Sequence, residues 1–132
     1  MGWLFGGMSV VYAHIAGLYQ FRYTWGVSEW TVKLSEEVAD WYQSLNQKDL
    51  AIAKRHFDEL RTFGNALGMP RSKNLKGKLY ELRFRCQNVE RRITYTFEPD
   101  RNIITLTTFR KQKNNERKEI NRARAALARR KP

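Results

Sequence analysis

Apolar and polar residues alternate along the second half of the chain, a pattern typical of β-strands. The pattern predicts one strand over residues 79–86 and the next over residues 91–97. Arg85 occupies a polar position in the first of them, and Arg92 occupies a polar position in the second. Because successive side chains of a strand point to opposite faces, we expect Arg85 and Arg92 to share a face. Residues 103–109 are apolar on both faces, which indicates a central strand.

A period of 3.6 residues replaces this alternation in the first half. A strand over about 30–34 leads to Ser35, a residue that caps helices, and the apolar stripe that follows is Val38, Trp41, Tyr42 and Leu45. A second helix is predicted over about 48–63, with Gly64 as its stop signal. The pattern therefore predicts a helical hairpin between the first strand and the later strands.

A basic, turn-rich loop over 68–78 joins the second helix to the strands, and the segment 114–130 is helical by composition. The predicted order is β-α-α-β-β-β-α, an α+β fold in which helices back an antiparallel sheet. We assign residues 28–132 to one domain and treat 1–27 as an N-terminal extension. That extension is uncharged from Gly2 to Tyr19, and three interpretations stay open: an extra strand or hairpin, a partner-binding appendage, or upstream sequence joined by a misassigned start.

Charge is divided unevenly along the chain. Residues 71–132 contain 19 Lys and Arg against 6 Asp and Glu, whereas residues 1–70 contain 6 against 7, and together they give the net charge of +12. Because some of this charge alternates with apolar residues on predicted strands, a sheet face can present fixed cations to a phosphate backbone. Nucleic acid is the first partner to consider.

Several kinds of site are disfavoured by the composition. The one cysteine, Cys86, has no partner for a disulfide and no neighbour at metal-ligand spacing, so we expect a reduced, cytoplasmic protein in which Cys86 packs in the core. The glycine-interrupted segment 2–19 is a poor membrane span. The histidines, His14 and His56, lie outside the basic half, and we interpret His56 as a helix residue without a catalytic role. We predict no metal and no cofactor.

RNA cleavage does not need a histidine, because the 2′-OH of the substrate is a built-in nucleophile. Arginine and lysine can hold the scissile phosphate in line and neutralise the charge that develops on its oxygens. The candidates are Arg83, Arg85, Arg92, Lys111 and Lys113. Two alternatives remain: a basic module that binds nucleic acid without cleaving it, and a basic surface that docks an acidic protein.

Three stretches of the sequence resemble a known family. The runs 75–85, 91–95 and 106–113, with a leucine-arginine strand, an arginine before an apolar-x-Tyr strand and a Phe-x-Lys-x-Lys exit, resemble the HigB branch of the RelE toxin superfamily, also known from phage-derived Gp49-like proteins. The resemblance implies a compact RelE-like fold and a type II toxin–antitoxin component. Such a toxin is an endoribonuclease, an mRNA interferase that cleaves messenger RNA, usually on the ribosome, and so inhibits translation.

The resemblance also implies partners and residue roles. The cognate antitoxin would be a helix-turn-helix, HigA-like protein. The complex would bind operator DNA only through this antitoxin. Arg85 matches the family's strand arginine near the scissile phosphate, Arg92 matches the arginine that follows it, and Lys111 and Lys113 match the basic exit after the last strand. These four are the predicted catalytic residues. Lys76, Arg83 and Arg110 are the predicted RNA-binding residues. The chain departs from some members in having no histidine or tyrosine after Phe109, so the general acid and base are left to Lys111, Lys113 or the ribosome.

Overall fold

The computed structural model describes residues 10–15, 18–23 and 30–130. Within them, seven strands form one sheet, with helices between and after them. The strands are Val10–Ile15 (β1), Leu18–Tyr23 (β2), Thr31–Ser35 (β3), Ser72–Asn74 (β4), Tyr80–Cys86 (β5), Val89–Glu98 (β6) and Asn102–Arg110 (β7). The α-helices are Glu36–Gln43 (α1), Gln47–Phe63 (α2) and Glu116–Arg129 (α3), and a short 3-10 turn spans Gly64–Ala66.

The sheet has the order β1-β2-β3-β7-β6-β5-β4, and it corrects the sequence prediction in two respects. It is mixed rather than antiparallel, because β3 runs parallel to β7 after the chain crosses over through α1 and α2. The predicted basic loop also contributes a short strand, β4, which pairs with the start of β5. The α+β class and the antiparallel meander β5-β6-β7 are confirmed. β7 is central, as its apolar faces predicted.

The N-terminal strands β1 and β2 form an antiparallel hairpin, and β2 pairs with β3 at the edge of the sheet. Residues 1–9, 16–17 and 24–29 lie outside the described residues, as do 131–132. The expected beginning of the main domain at residue 28 therefore falls on a part of the chain that the structure does not describe.

The helix boundaries follow the local signals in the sequence. Ser35 Oγ accepts a hydrogen bond from the Val38 amide at 3.3 Å and caps α1, as predicted. Asn46 caps α2 in the same way, through the Asp49 amide at 2.8 Å. α2 stops at Gly64, whose φ of +51° lies in the left-handed region. The two helices of the hairpin therefore begin and end close to the residues that the sequence predicted.

Helices cover both faces of the sheet. α1 and α2 pack on the face that carries Leu82, Phe84 and Ile93, and this is the larger core. α3 packs on the opposite face through Ala123, over Ile104 and Leu106. The second face bears the alternating arginines of β5 and β6, so α3 and the candidate site share one side of the sheet.

Candidate functional site

The register of β5 and β6 brings the predicted arginines together. Arg83 lies directly opposite Arg92, and Arg85 lies opposite Glu90 in the next position of the same face. Side chains directly opposite on one face of an antiparallel pair have Cβ atoms roughly 5 Å apart. Arg83, Arg85 and Arg92 therefore share the face that alternation predicted, and we call this group the arginine face.

Arg92 is buried within this face. Its side chain is 5% exposed, and its Nε and Nη1 atoms lie 3.6 and 3.7 Å from the carboxylates of Glu81 and Glu90, respectively. Nη1 also donates to the backbone oxygen of Arg91 at 3.3 Å, while Nε has no hydrogen-bond acceptor within the described residues. Arg92 is thus an interior cation held between two carboxylates.

Glu81 is a member of the site that the sequence reasoning missed. Its side chain is 2% exposed, and Oε1 also lies 3.7 Å from Nε of Arg83, while Oε2 is buried with no hydrogen-bond donor in the described part of the chain. Burial raises the pKa of this carboxyl, and Arg92 and Arg83 oppose that rise. Carboxyls perturbed in this way occur both in functional sites and in structural ion-pair networks. One feature of the sequence could have indicated this role. Glu81 lies two residues before Arg83 in the same strand, so both side chains are on one face of the sheet.

Arg83 and Arg85 are progressively more accessible than Arg92. Arg83 is 26% exposed and contacts Sδ of Met69 at 3.7 Å. Arg85 is 64% exposed; Nη1 lies 3.1 Å from a carboxylate oxygen of Glu90, and Nη2 donates to the backbone oxygen of Asn88 at 3.0 Å. Within the arginine face, Arg85 is the guanidinium most open to a phosphate.

The exit of β7 lies beside this face. The amide of Lys111 donates to the backbone oxygen of Glu90 at 2.8 Å, which ties the loop to the start of β6. Asn115 fixes the same loop, because its side chain donates to the oxygen of Arg110 and accepts from the amide of Gln112, both at 2.9 Å. Lys111 and Lys113 are exposed on this fixed loop. The backbone of Lys111 therefore lies next to Glu90, the residue that stands opposite Arg85 in the sheet.

Two predicted RNA-binding residues stand apart from the arginine face. Arg110 lies opposite Arg91, and alternation puts it on the other face of the sheet from Arg92. Lys76 lies in the exposed turn between β4 and β5, at the end of β5 remote from Arg85. The turn that holds Lys76 ends at Leu79, just before β5. Leu79 is six residues from Arg85, which is about 20 Å along a strand at the usual rise per residue. The structure does not bring either residue into the arginine face.

Other titratable groups are committed to packing. His56 stacks on Phe84 at 4.5 Å between ring centroids, and burial lowers its pKa. Tyr95 is buried, shares a hydrogen bond with Ser72, and has a pKa raised by burial to about 12. Cys86 is a buried free thiol, as predicted. Residues 30–130 contain no group of His, Cys, Asp and Glu side chains suited to a metal ion, and none of the described helices is long and apolar enough to span a membrane.

Comparison with known proteins identifies one family. The family model described as Phage derived protein Gp49-like (DUF891) matches residues 40–131, which include α2, the strands β4 to β7 and α3. The match therefore contains the arginine face and the lysines of the β7 exit. No curated protein matches the chain.

Proposed function

Because the chain belongs to the Gp49-like family of phage-derived proteins, a HigB/RelE-like toxin family, we propose that it is a metal-independent mRNA interferase. In this proposal the domain is a compact RelE-like fold with a five-strand core, β3 to β7, and the protein is an endoribonuclease that cleaves messenger RNA on the ribosome. Loss of intact message stops translation and makes the protein toxic when its antitoxin is absent.

One observation carries the proposal: Arg85 is exposed on the face that also holds the buried Arg92, and the backbone of Lys111 is bonded to Glu90, the residue opposite Arg85. A fixed guanidinium can hold two phosphate oxygens in bidentate geometry, which positions the scissile phosphate for in-line attack. Arg83 extends this positive surface along β5. Fixed cations of this kind also stabilise the charge that develops on the phosphorane oxygens.

The reaction consistent with this surface begins with the 2′-oxygen of the substrate. The 2′-oxygen attacks the adjacent phosphorus, the bond from phosphorus to the 5′-oxygen breaks, and the products are a 2′,3′-cyclic phosphate and a 5′-hydroxyl. One proton must leave the 2′-oxygen and one must reach the 5′-oxygen. Lys111 and Lys113 are the proposed proton carriers, because they are exposed, rotatable groups on the loop that is bonded to Glu90.

The partner proposed for this toxin is a helix-turn-helix antitoxin encoded by a neighbouring gene. Two modes of inhibition fit the charge of the molecule: the antitoxin covers the arginine face, or it displaces α3. Binding to operator DNA would occur through the antitoxin alone.

The test is induction of the protein in cells without the antitoxin, followed by mapping of transcript 5′ ends. We expect translation to stop and messenger RNA to be cut, and we expect Arg85→Ala to reduce cleavage by about 10²-fold, as loss of one transition-state donor does. Arg55→Ala, which removes an exposed arginine of α2, is the matched control and should cleave normally. Intact transcripts with normal growth would contradict the proposal.

A second candidate is a basic module that binds RNA without cutting it, and the burial of Arg92 favours it. A guanidinium that is 5% exposed does not reach a phosphate without movement of its surroundings. In this case Arg85→Ala would weaken RNA binding, and the slope of log affinity against log salt concentration would fall by about one. No variant would alter a cleavage pattern.

A further inference from the structure

A groove lies between the C-terminal half of α3 and the end of β6, at the opposite end of this strand from Glu90. Its volume is about 980 Å³. Phe97, Pro99, Leu127 and Ala128 supply apolar lining, and Lys78, Arg124 and Arg130 supply cations. We call it the α3–β6 groove.

The charge around this groove is unbalanced. Arg130 is neutralised by Glu98, with Nε to Oε2 at 2.8 Å and Nη2 to Oε1 at 3.1 Å. Arg124 donates to the backbone oxygen of Leu75, which leaves its charge uncompensated, and Lys78 is exposed with no ion-pair partner among the described residues. An apolar groove with two uncompensated cations fits an occupant that has apolar and acidic side chains.

Nucleic acid fits this groove less well. Single strands bind on free aromatic faces, and the ring of Phe97 is already packed against Trp30, Tyr80 and Tyr95, with ring centroids 5.3, 5.0 and 5.6 Å away. A volume at the upper end of the range of small-molecule sites, open to solvent, suits several side chains of a peptide.

We propose that the α3–β6 groove docks a segment of the cognate antitoxin in which apolar residues are flanked by Asp or Glu. This proposal rests on the proposed function, since it names the place where the antitoxin is held. It adds a binding surface that is separate from the arginine face. The affinity of the antitoxin for the toxin would then not depend on contacts with the cleavage site.

The experiment uses the full chain and the protein encoded by the adjacent reading frame as the probe. The double variant Lys78→Glu/Ala128→Glu puts two acidic groups into the groove, and Lys118→Glu/Ala125→Glu makes the same changes on exposed positions of α3 that do not line it. We expect the groove variant to bind the partner at least tenfold more weakly and the control variant to bind within about twofold of the unaltered chain. Circular dichroism and thermal melting establish that both variants fold.

Amide hydrogen exchange gives a second measurement that needs no variant. Binding of the partner should slow exchange at residues 96–98 and 124–130. Equal binding by the two variants, or absence of this protection, would overturn the docking site. Weaker RNA binding by the groove variant, with unchanged partner affinity, would also overturn it and assign the groove to RNA.

The same samples separate this proposal from the proposed function. A groove variant that still cleaves messenger RNA but escapes neutralisation supports both. Loss of partner binding by the groove variant supports the docking site even if the unaltered chain cleaves no RNA, in which case only the proposed nuclease activity fails.

Discussion

Nε of Arg92 lies 3.6 Å from Oε1 of Glu81, and both side chains are almost completely removed from solvent. Neither the Nε of Arg92 nor the Oε2 of Glu81 has a hydrogen-bond partner in residues 30–130. Desolvation of two charged groups is expensive, and an ion pair compensates for it fully only when the remaining donors and acceptors are also satisfied. This pair is therefore a costly feature of the sheet, and it is one of the features that make this face a candidate site.

The pair also separates two roles among the arginines. Arg92 belongs to the interior of the molecule and acts on its surroundings through Glu81 and Glu90. Arg85 extends into solvent, with Glu90 as its carboxylate partner. We therefore expect substitutions at these two positions to differ in their effect on stability, although both lie on one sheet face.

Arg92→Ala should destabilise the fold, whereas Arg85→Ala should not. Removal of Arg92 leaves the buried carboxyl of Glu81 without its nearest cation, which costs about 3–5 kcal/mol in comparable buried pairs. Arg85 is exposed, and its removal should change the free energy of unfolding by no more than about 0.5 kcal/mol. Urea unfolding of both variants measures the contrast. Equal stability of the two variants would show that the buried pair contributes nothing to folding.

Glu81→Gln should change the pH dependence of stability. Burial raises the pKa of Glu81 in the folded state above the ordinary value of a glutamate, so the folded state binds the proton more tightly than the unfolded state. The resulting stabilisation is fully present at pH below the unfolded pKa and is lost as pH rises through the folded pKa. From pH 4 upward, the unaltered chain should therefore lose free energy of unfolding relative to Glu81→Gln.

The measurement is the difference between the two unfolding free energies over this pH range. The charged groups that act on Glu81 are Arg92, Arg83, Glu116 and Lys73, so the same series is run in low and high salt. Glu36→Gln makes the same change at an exposed position in the first turn of α1 and serves as the control. A difference that grows in favour of the unaltered chain with rising pH would mean that the arginines outweigh burial.

Lysine-to-arginine exchange distinguishes charge from proton transfer at the β7 exit. Arginine keeps the positive charge but does not release a proton near neutral pH. We expect Lys111→Arg and Lys113→Arg to bind RNA normally, and we expect cleavage to fall about 10²-fold in whichever variant loses a proton carrier. Single-turnover cleavage and RNA affinity are measured on each. Normal cleavage by both variants would assign the lysines to electrostatic attraction only.

Local signals predicted the elements and the shared face of the arginines well. The cap at Ser35, the stop at Gly64 and the alternation around Arg85 each depend on neighbours in sequence, and each is found where the pattern put it. The parallel pairing of β3 with β7 was not predicted, because it joins residues about 70 positions apart and leaves no periodic signal. The short strand β4 was read as a loop for a related reason: its three residues pair only with β5, and their composition is that of a turn.

The candidate site was predicted only in part, because alternation gives the face of a side chain and not its depth. Arg92 and Arg85 occupy equivalent positions in the pattern, yet α3 and the β7 exit lie on the same side of the sheet, and Arg92 is buried while Arg85 is exposed. Glu81 was overlooked for the same reason. Its alternation with apolar residues is also the pattern of a solvated strand face, and only the packed structure shows that the carboxyl is buried.

Gly64→Ala provides a test of the junction between the helical hairpin and the sheet. Gly64 has φ +51°, and a Cβ placed on it would lie 2.2 Å from the indole ring of Trp30, which also packs against Phe97 at 5.3 Å. Relief of that overlap requires Trp30 to leave its position against the core, so we expect a loss of about 2–4 kcal/mol from the free energy of unfolding.

Gly77→Ala is the matched control, since Gly77 has φ +62° and a Cβ there meets nothing within 4 Å. Its loss should be confined to backbone strain of about 1–2 kcal/mol. Thermal or urea unfolding of the two variants gives the comparison, and a Gly64 variant no less stable than the Gly77 variant would show that Trp30 is not held against the end of α2.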